Sequence, residues 1–437
     1  MVLNHVMRAE FAQLLLTSAV FQQGLATLAG IANQVQAHAP PAEPVDAHKF
    51  QFGEQWKFAE PQASARFIPA TVAAITEHLA TAVGLELPEF TDARFMGLGA
   101  STLKAVAFTA ATGPNILGWR AEALAQIAAI AEDLMPLTKT LLATFAPAHI
   151  RCHHKPDSHI AFIELATRVL GLCDTELAFD LCVGMPAIGD IPPTGNWREK
   201  TCEGRAAFTP AENEEWNSQL HSDLLHGPPN PAETSEYWKS ITDEIDAGTC
   251  DGFYTYEELD LIFKPGGWRA IRAFPVLQKE KYRRCDDARA SGHNGATSLL
   301  ETITTIMADW PVRAAAAFAA ALGFANGEWH ILASTDDMYK AYRMAPCSQP
   351  QFTVTAVRMQ PSGEVGYLLM AGFNFGLRSA VPMFNRIPHF STEIMRGLLG
   401  GVCAHYFDDI VCTEPSWASA PCAPSPIFPD GTNSVQA

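Results

Sequence analysis

Ile331-Leu332-Ala333-Ser334-Thr335-Asp336-Asp337-Met338-Tyr339-Lys340-Ala341-Tyr342-Arg343 and His405-Tyr406-Phe407-Asp408-Asp409-Ile410 frame the part of the chain on which its architecture turns. The first is an apolar run leading into aspartates, and the second is an acidic tip with β-favouring neighbours. A strand ending in a carboxylate, set beside a hairpin whose turn carries two more, places three oxygen-rich side chains around a pair of hard cations. Mg²⁺ binds through one or two carboxylates plus substrate phosphates. Two such ions about 4 Å apart clamp the attacking and leaving oxygens of a phosphoryl displacement. The pattern points to nucleotidyl transfer.

Between the acids lies Phe375-Gly376-Leu377-Arg378-Ser379-Ala380-Val381-Pro382-Met383-Phe384-Asn385-Arg386. Asp-x3-Ala-Tyr, then Phe-Gly-Leu-x-Ser-Ala-x3-Phe-x-Arg, then Tyr-x-Asp-Asp, in that order, resembles the palm of a reverse transcriptase of the retrotransposon and retrovirus type. The resemblance implies an RNA-directed DNA polymerase that uses two Mg²⁺ ions, with Mn²⁺ as a substitute, an RNA template, a DNA primer and deoxynucleoside triphosphates. Successive strand residues face opposite sides, so Asp336 and Asp337 do not share one site. The spacing to Ala341-Tyr342 selects Asp337 by resemblance. Asp337 and Asp408 then bind metal, and Asp409 supports them as a third catalytic acid. Tyr342 matches an aromatic gate packed where a ribose 2′-hydroxyl would sit, excluding ribonucleotides sterically. Phe375 and Gly376 belong to the segment that lies against the incoming nucleotide. Val381 departs from the family pattern, standing where many relatives carry proline.

Upstream, residues 264–289 contain eight cations against Glu280, Asp286 and Asp287. Such a window lets a protein of net charge −17 attract a polyphosphate. Within it, Lys281-Tyr282-Arg283-Arg284-Cys285-Asp286-Asp287-Ala288-Arg289 resembles the fingers motif of the same family. By that match Lys281 and Arg283 reach the triphosphate, the guanidinium with two-pronged contacts to phosphate oxygens. Asp287 and Arg289 match positions that hold the fingers in shape. Read alone, the segment is equally an exposed charged hairpin.

The rest of the chain carries less chemistry. With 437 residues, 48% hydrophobic and 18% charged, it is long enough for two or three domains and has a globular composition. Ten cysteines without a Cys-x2-Cys pair suit an intracellular setting, cytoplasmic or nuclear, better than a disulfide framework. Cys152-His153-His154 with His159 reads either as a metal site or as a solvated loop between helices, and adjacent ligands do not easily share one tetrahedral ion. The run Leu14 to Phe21 resembles a weak signal peptide but reads better as a buried helix. No run is long enough to span a bilayer, so no membrane partner is expected.

Helical spacing is predicted over Phe67 to Val83 and along Leu124, Ile127, Ala131, Leu134, Leu137 and Leu141. A further helix is predicted from Pro231 through Ile245 to about Gly248, and an alanine-rich one over Gly295 to Phe324. Phe352 to Val357 and Val365 to Met370 read as paired strands around the turn Gln360 to Glu364. Ser379 reads as the cap of a helix containing Phe384. The organisation expected is an N-terminal helix and Pro-rich linker (1–60), a helical accessory region (61–200), a polar linker (201–230), fingers and a partial palm (231–430) and a tail (431–437).

The fold class is thus α+β: a mainly helical N-terminal region, then reverse-transcriptase-like fingers and an antiparallel-sheet palm. The segment after Asp409 contains no Lys, Arg or His, so a lysine-bearing palm element and a thumb are missing from the pattern. A partner chain or a missing C-terminal segment would have to complete it. The second expectation, of a different class, is a catalytically dead truncated relic that binds only nucleic acid or a partner protein.

Overall fold

The computed structural model describes residues 2–37, 98–153, 158–201, 207–228, 235–278, 281–322, 330–338, 341–360 and 362–419. The fold is mixed, with helices around several small sheets. Its strands are β1 (Gly189–Ile191), β2 (Arg198–Glu199), β3 (Cys250–Tyr254), β4 (Ile271–Gln278), β5 (Lys281–Asp286), β6 (Thr297–Leu299), β7 (Glu301–Thr302), β8 (Ile331–Asp337), β9 (Val354–Arg358), β10 (Val365–Met370), β11 (Cys403–Tyr406) and β12 (Asp409–Pro415).

Two sheets position the candidate site. The larger has the order β3-β10-β9-β4-β5, in which only β4 and β9 run parallel. Its central strands β9 and β10 are buried on both faces, which their Val-, Leu- and Tyr-rich sequences allow. One face packs on Leu220, Leu224, Leu259 and Trp268. The other packs on Tyr237 and Ile241 of the Ser235–Asp246 helix. The smaller sheet, β11-β12-β8, is antiparallel throughout. Ala404, Val411 and Ile331 on one of its faces meet Trp310, Ala314 and Phe318 of the Trp310–Leu322 helix.

The Ala380–Leu399 helix ties these sheets to the N-terminal helices. Met383, Phe390 and Leu398 share one core with Phe11, Leu15, Phe21, Leu28, Ile130, Leu141 and Leu165. Arg386, only 2% exposed, donates Nε and Nη2 to Asp174 at 2.7 and 2.9 Å and Nη1 to Asp180 at 2.8 Å. Burial alone would lower the Arg386 pKa, but the carboxylates of Asp180 and Asp174 outweigh it and hold the guanidinium charged. At the far end of the same helix, Arg120 binds the Leu399 and Gly400 carbonyls and forms a two-pronged pair with Glu414 of β12. A cation on the last carbonyls complements the negative end of the helix. Gly400 ends the helix at φ 61°, where a Cβ would lie 2.4 Å from the Phe108 ring.

Several expectations need correction. The described part of residues 61–200 shares one core with the Ala380–Leu399 helix. The periodic run from Leu124 to Leu141 is two helices, Ile116–Asp133 and Met135–Phe145, broken where Pro136 enters the first turn of the second. Leu124 is half exposed, while Ala123 and Ile130 face the core. The segment read as a polar linker holds the Pro210–His226 helix, opened by a Thr209–Glu212 capping box.

That helix escaped detection because two of its four buried positions are asparagines. Asn213 and Asn217 donate to the Gly266 and Trp268 carbonyls, each at 2.9 Å, so polar residues occupy an inward face. The alanine-rich stretch is helical only over Trp310–Leu322. Residues 297–299 and 301–302 instead pair as strands with β1 and β2. The helix expected at Phe67 to Val83 and most of the Pro-rich linker lie outside the described residues.

Other readings agree with the structure. A helix occupies Ser235–Asp246, and β9 and β10 pair as a hairpin. The run from Leu14 to Phe21, expected as one buried helix, instead crosses the break between the Val2–Leu16 and Ala19–Gln36 helices, with Leu15 and Phe21 buried but Leu16 and Val20 exposed. Among the described residues no single helix is long and apolar enough to cross a membrane, although the pair Val6–Leu16 and Ala19–Gln36, bent by 75°, passes that test jointly.

Arg386 supplies the first test. Arg386→Met leaves two carboxylates buried without their cation, and breaking a buried pair from one side costs about 3–5 kcal/mol. Urea denaturation should show a correspondingly lower midpoint, with an unchanged slope if the fold persists.

Candidate functional site: an acidic hairpin facing an aromatic wall

β8 and β12 pair over their whole length, from Ile331 opposite Pro415 to Asp337 opposite Asp409. Directly opposed residues on antiparallel strands put their Cβ atoms about 4.5–5.5 Å apart on one face. Asp337 and Asp409 are therefore neighbours, and both are exposed. Asp336 faces the other side, opposite Ile410. Asp408 sits in the turn between β11 and β12, half-buried, and its carbonyl accepts the Met338 N–H at 3.0 Å. Aspartates 71 positions apart in the chain, 337 and 408, thus come to one tip.

The turn itself is tight. Tyr406 pairs with Asp409, so only Phe407 and Asp408 connect the strands. Phe407 has φ 53°, a conformation that costs a bulky side chain about 1–3 kcal/mol and that glycine would adopt freely. Its ring packs edge-on against Tyr406, with centroids 4.9 Å apart.

A wall of aromatic rings adjoins the acids. Tyr342 stands in the 3-10 turn Ala341–Met344, its ring edge-on to Phe375 at 5.3 Å and to buried Phe384 at 5.4 Å. Burial first, and then the charge of Asp408, raise the Tyr342 pKa, so its hydroxyl stays protonated at neutral pH. Phe375 remains 44% exposed, and the Arg343 guanidinium lies over its ring at 4.9 Å.

The loop bearing Phe375 and Gly376 is anchored on the base of the β4-β5 hairpin. Phe375 N–H donates to Asp286 at 3.3 Å, and a Cβ on Gly376 would collide with the Asp286 carbonyl oxygen at 1.7 Å. Asn294 clamps the same loop, donating to the Gly376 carbonyl at 3.0 Å and accepting from Arg378 N–H at 2.7 Å. Ser379 begins the following helix without capping it through its side chain. Its hydroxyl donates instead to the Ala187 carbonyl at 2.5 Å.

The buried centre beneath this loop was not singled out from the sequence. Asp286 contacts Arg284 and Arg343, each at 3.2 Å, and both arginines also reach Glu244, at 2.8 and 3.5 Å. Burial would raise the Asp286 pKa, but the two guanidinium groups hold it below the usual carboxylate range. Alternation on β5 was the available clue, because Arg284 and Asp286, two apart, face one side. Arg284 and Asp286 thus tie β5 to the Ser235–Asp246 helix and to the Tyr342 turn. The Asp287 side chain accepts from Ala290 N–H at 2.9 Å, its own N–H donates to the Arg272 carbonyl of β4 at 2.9 Å, and Arg289 is exposed.

Lys281 and Arg283 lie on β5, the outer strand, opposite Gln278 and Val276. Arg283 is three residues from Asp286, about 10 Å along the strand. The basic window is weaker than its composition indicates. Arg269 and Arg284 are buried, the former against the Phe208 and Trp216 rings, while Lys264, Arg272 and Arg289 are exposed.

The donor set at the tip consists of hard carboxylate oxygens, the type that suits Mg²⁺. Among the described residues no group of three or more His, Cys, Asp or Glu side chains is disposed to hold a metal ion by itself. Substrate oxygens would have to complete such a site. His154, part of the histidine cluster read as a candidate metal site, lies outside the described residues.

Gly376→Ala should displace the Phe375 loop, since the clash is with backbone. A fall in melting temperature, together with weaker quenching or altered near-UV circular dichroism from the Tyr342–Phe375 contact, would register it; unchanged values would refute the close packing. The sequence matches no family model, and no curated protein is significantly similar to it.

Proposed function

We propose that the chain is a nucleotidyltransferase of the reverse-transcriptase type, an RNA-directed DNA polymerase acting on deoxynucleoside triphosphates at the Asp337–Asp408 tip. The observation that carries this reading is the register Asp337 opposite Asp409 with Asp408 in the adjoining turn. Like charges directly opposed on two strands destabilise a sheet. Placing Asp337, Asp408 and Asp409 together at one hairpin tip makes physical sense where a cation is to be held.

Asp337 and Asp408 would hold the metal, with Asp409 beside them. Two Mg²⁺ ions, when bound, supply charge neutralisation for the attacking and leaving oxygens. The protein's own share is positioning, the main source of rate in phosphoryl transfer. Tyr342, held between Phe375 and Phe384, presents a fixed ring next to Asp408 where a sugar would lie. Lys281 and Arg283 on β5 would meet the triphosphate. The arginine lattice beneath Phe375 keeps the wall from shifting as substrate enters.

A second reading, a palm-like relic that binds nucleic acid without turning it over, is favoured by one observation. Among the described residues, Arg269 and Arg284 of the basic window are internal, in a chain of net charge −17. Primer extension on an RNA template with Mg²⁺ separates the two: wild type should extend and Asp408→Ala should fall to background. Equal background in both leaves only the binding reading. A finer test follows from the aromatic gate. Tyr342→Ala should admit ribonucleotides, lowering the preference for deoxynucleotides by a factor of ten or more on the order expected for removal of a steric block.

A further inference from the structure

Beside the acidic hairpin lies a cavity of about 280 Å³. Its walls include Trp197, Arg198, Thr304, His389, Arg396 and His405. The lining holds two arginines and two histidines and no carboxylate, the reverse of the chain as a whole, in which 47 acids face 30 Lys and Arg. A concavity of this sign in an acidic protein concentrates anions.

The side chains form a built site. Arg396 is oriented by three bonds: Nε to the Cys403 carbonyl at 2.9 Å, and Nη1 to Ser101 at 3.0 Å and Glu393 at 2.7 Å. None of these uses Nη2. Arg198, on β2, is exposed. His405 is 8% exposed, and its Nδ1 has no hydrogen-bond partner. Its ring meets His389 edge-on at 5.9 Å, and His389 in turn meets Trp197 at 6.0 Å. A buried polar nitrogen without a partner, in a cavity edged by guanidinium groups, calls for a ligand with oxygen atoms.

We propose that this cavity binds a phosphate group, gripped by Arg198 and Arg396 and hydrogen-bonded by His405. Planar guanidinium forks match phosphate oxygens in pairs; Glu393 engages Nη1 of Arg396, and Nη2 is the atom offered to the ligand. The volume admits inorganic phosphate or the phosphate end of a nucleotide whose ring lies along Trp197. The phosphate comes either from a free small molecule or from a nucleic-acid backbone. The inference does not depend on chemistry at the Asp337–Asp408 tip, since it uses none of those groups.

Calorimetric titration of the full chain, in chelator-containing buffer and against chloride of matched ionic strength, tests this. The probes are inorganic phosphate, deoxyadenosine monophosphate and a short single-stranded oligodeoxynucleotide. Saturable binding of phosphate or the mononucleotide, weakened roughly tenfold or more by Arg198→Ala, establishes a small-molecule site. Binding of the oligonucleotide alone, with the same dependence on Arg198, establishes a backbone-phosphate site. Arg198 is exposed, so its replacement leaves folding intact, and His405→Gln serves as the second variant. Asp408→Ala should leave the binding unchanged while removing any primer extension. No saturable binding of any probe, or binding indifferent to Arg198→Ala, overturns the proposal.

Discussion

Seven consecutive residue pairs between β8 and β12 set everything at the candidate site. Because side chains alternate along a strand, a slip of one residue would carry Asp337 to the opposite face and bring Asp336 round in its place. The register is pinned at the far end by packing. Ile331 and Val411 lie against the Trp310–Leu322 helix, so the hydrophobic face of the sheet has only one way to be buried. Glu414, held by Arg120, fixes β12 from its other side. The acids at the tip are thus placed by apolar contacts and one ion pair several residues away from them.

Arginine plays an unusual part in a chain of this charge. Arg269, Arg284, Arg343 and Arg386 are buried, and half-buried Arg120 also points inward. Each joins segments distant in sequence. Arg386 connects the Ala380–Leu399 helix to Asp174 and Asp180, and Arg343 connects the Tyr342 turn to β5 and the Ser235–Asp246 helix. Buried ion pairs contribute little net stability compared with apolar packing, but losing one partner is costly. Their effect here is to hold the Tyr342–Phe375 wall and the acidic hairpin in one continuous structure. The same use of arginine leaves fewer cations on the surface, which bears directly on how this chain would meet a polyanion.

The hairpin is also the meeting place of two environments. Its outer tip carries exposed carboxylates, and its inner face presents His405 to a cavity walled by cations. Burial first, then His389 and Arg396, push the His405 pKa down to about 4, so the ring is neutral near pH 7. Between them, Phe407 holds the turn in a left-handed conformation that its side chain disfavours.

Much of the local structure was legible in the residues. The strand into Asp337, the hairpin around Asp408, the pairing of β9 with β10 and the helix through Tyr237 follow from alternation and turn chemistry, which act over a few positions. The Pro210–His226 helix was not legible, because Asn213 and Asn217 bury polar groups against backbone partners about fifty residues away. Nor was the split at Pro136 visible in a hydrophobic repeat that runs through it.

By itself, then, the sequence determined which residues carry acids, aromatics and strand periodicity, since these are properties of neighbours in the chain. Only the tertiary structure decided that Asp337 faces Asp409, that Arg284 and Asp286 are internal, and that the N-terminal helices share a core with the Ala380–Leu399 helix. Register and burial depend on partners tens to hundreds of positions away, and no local pattern encodes them.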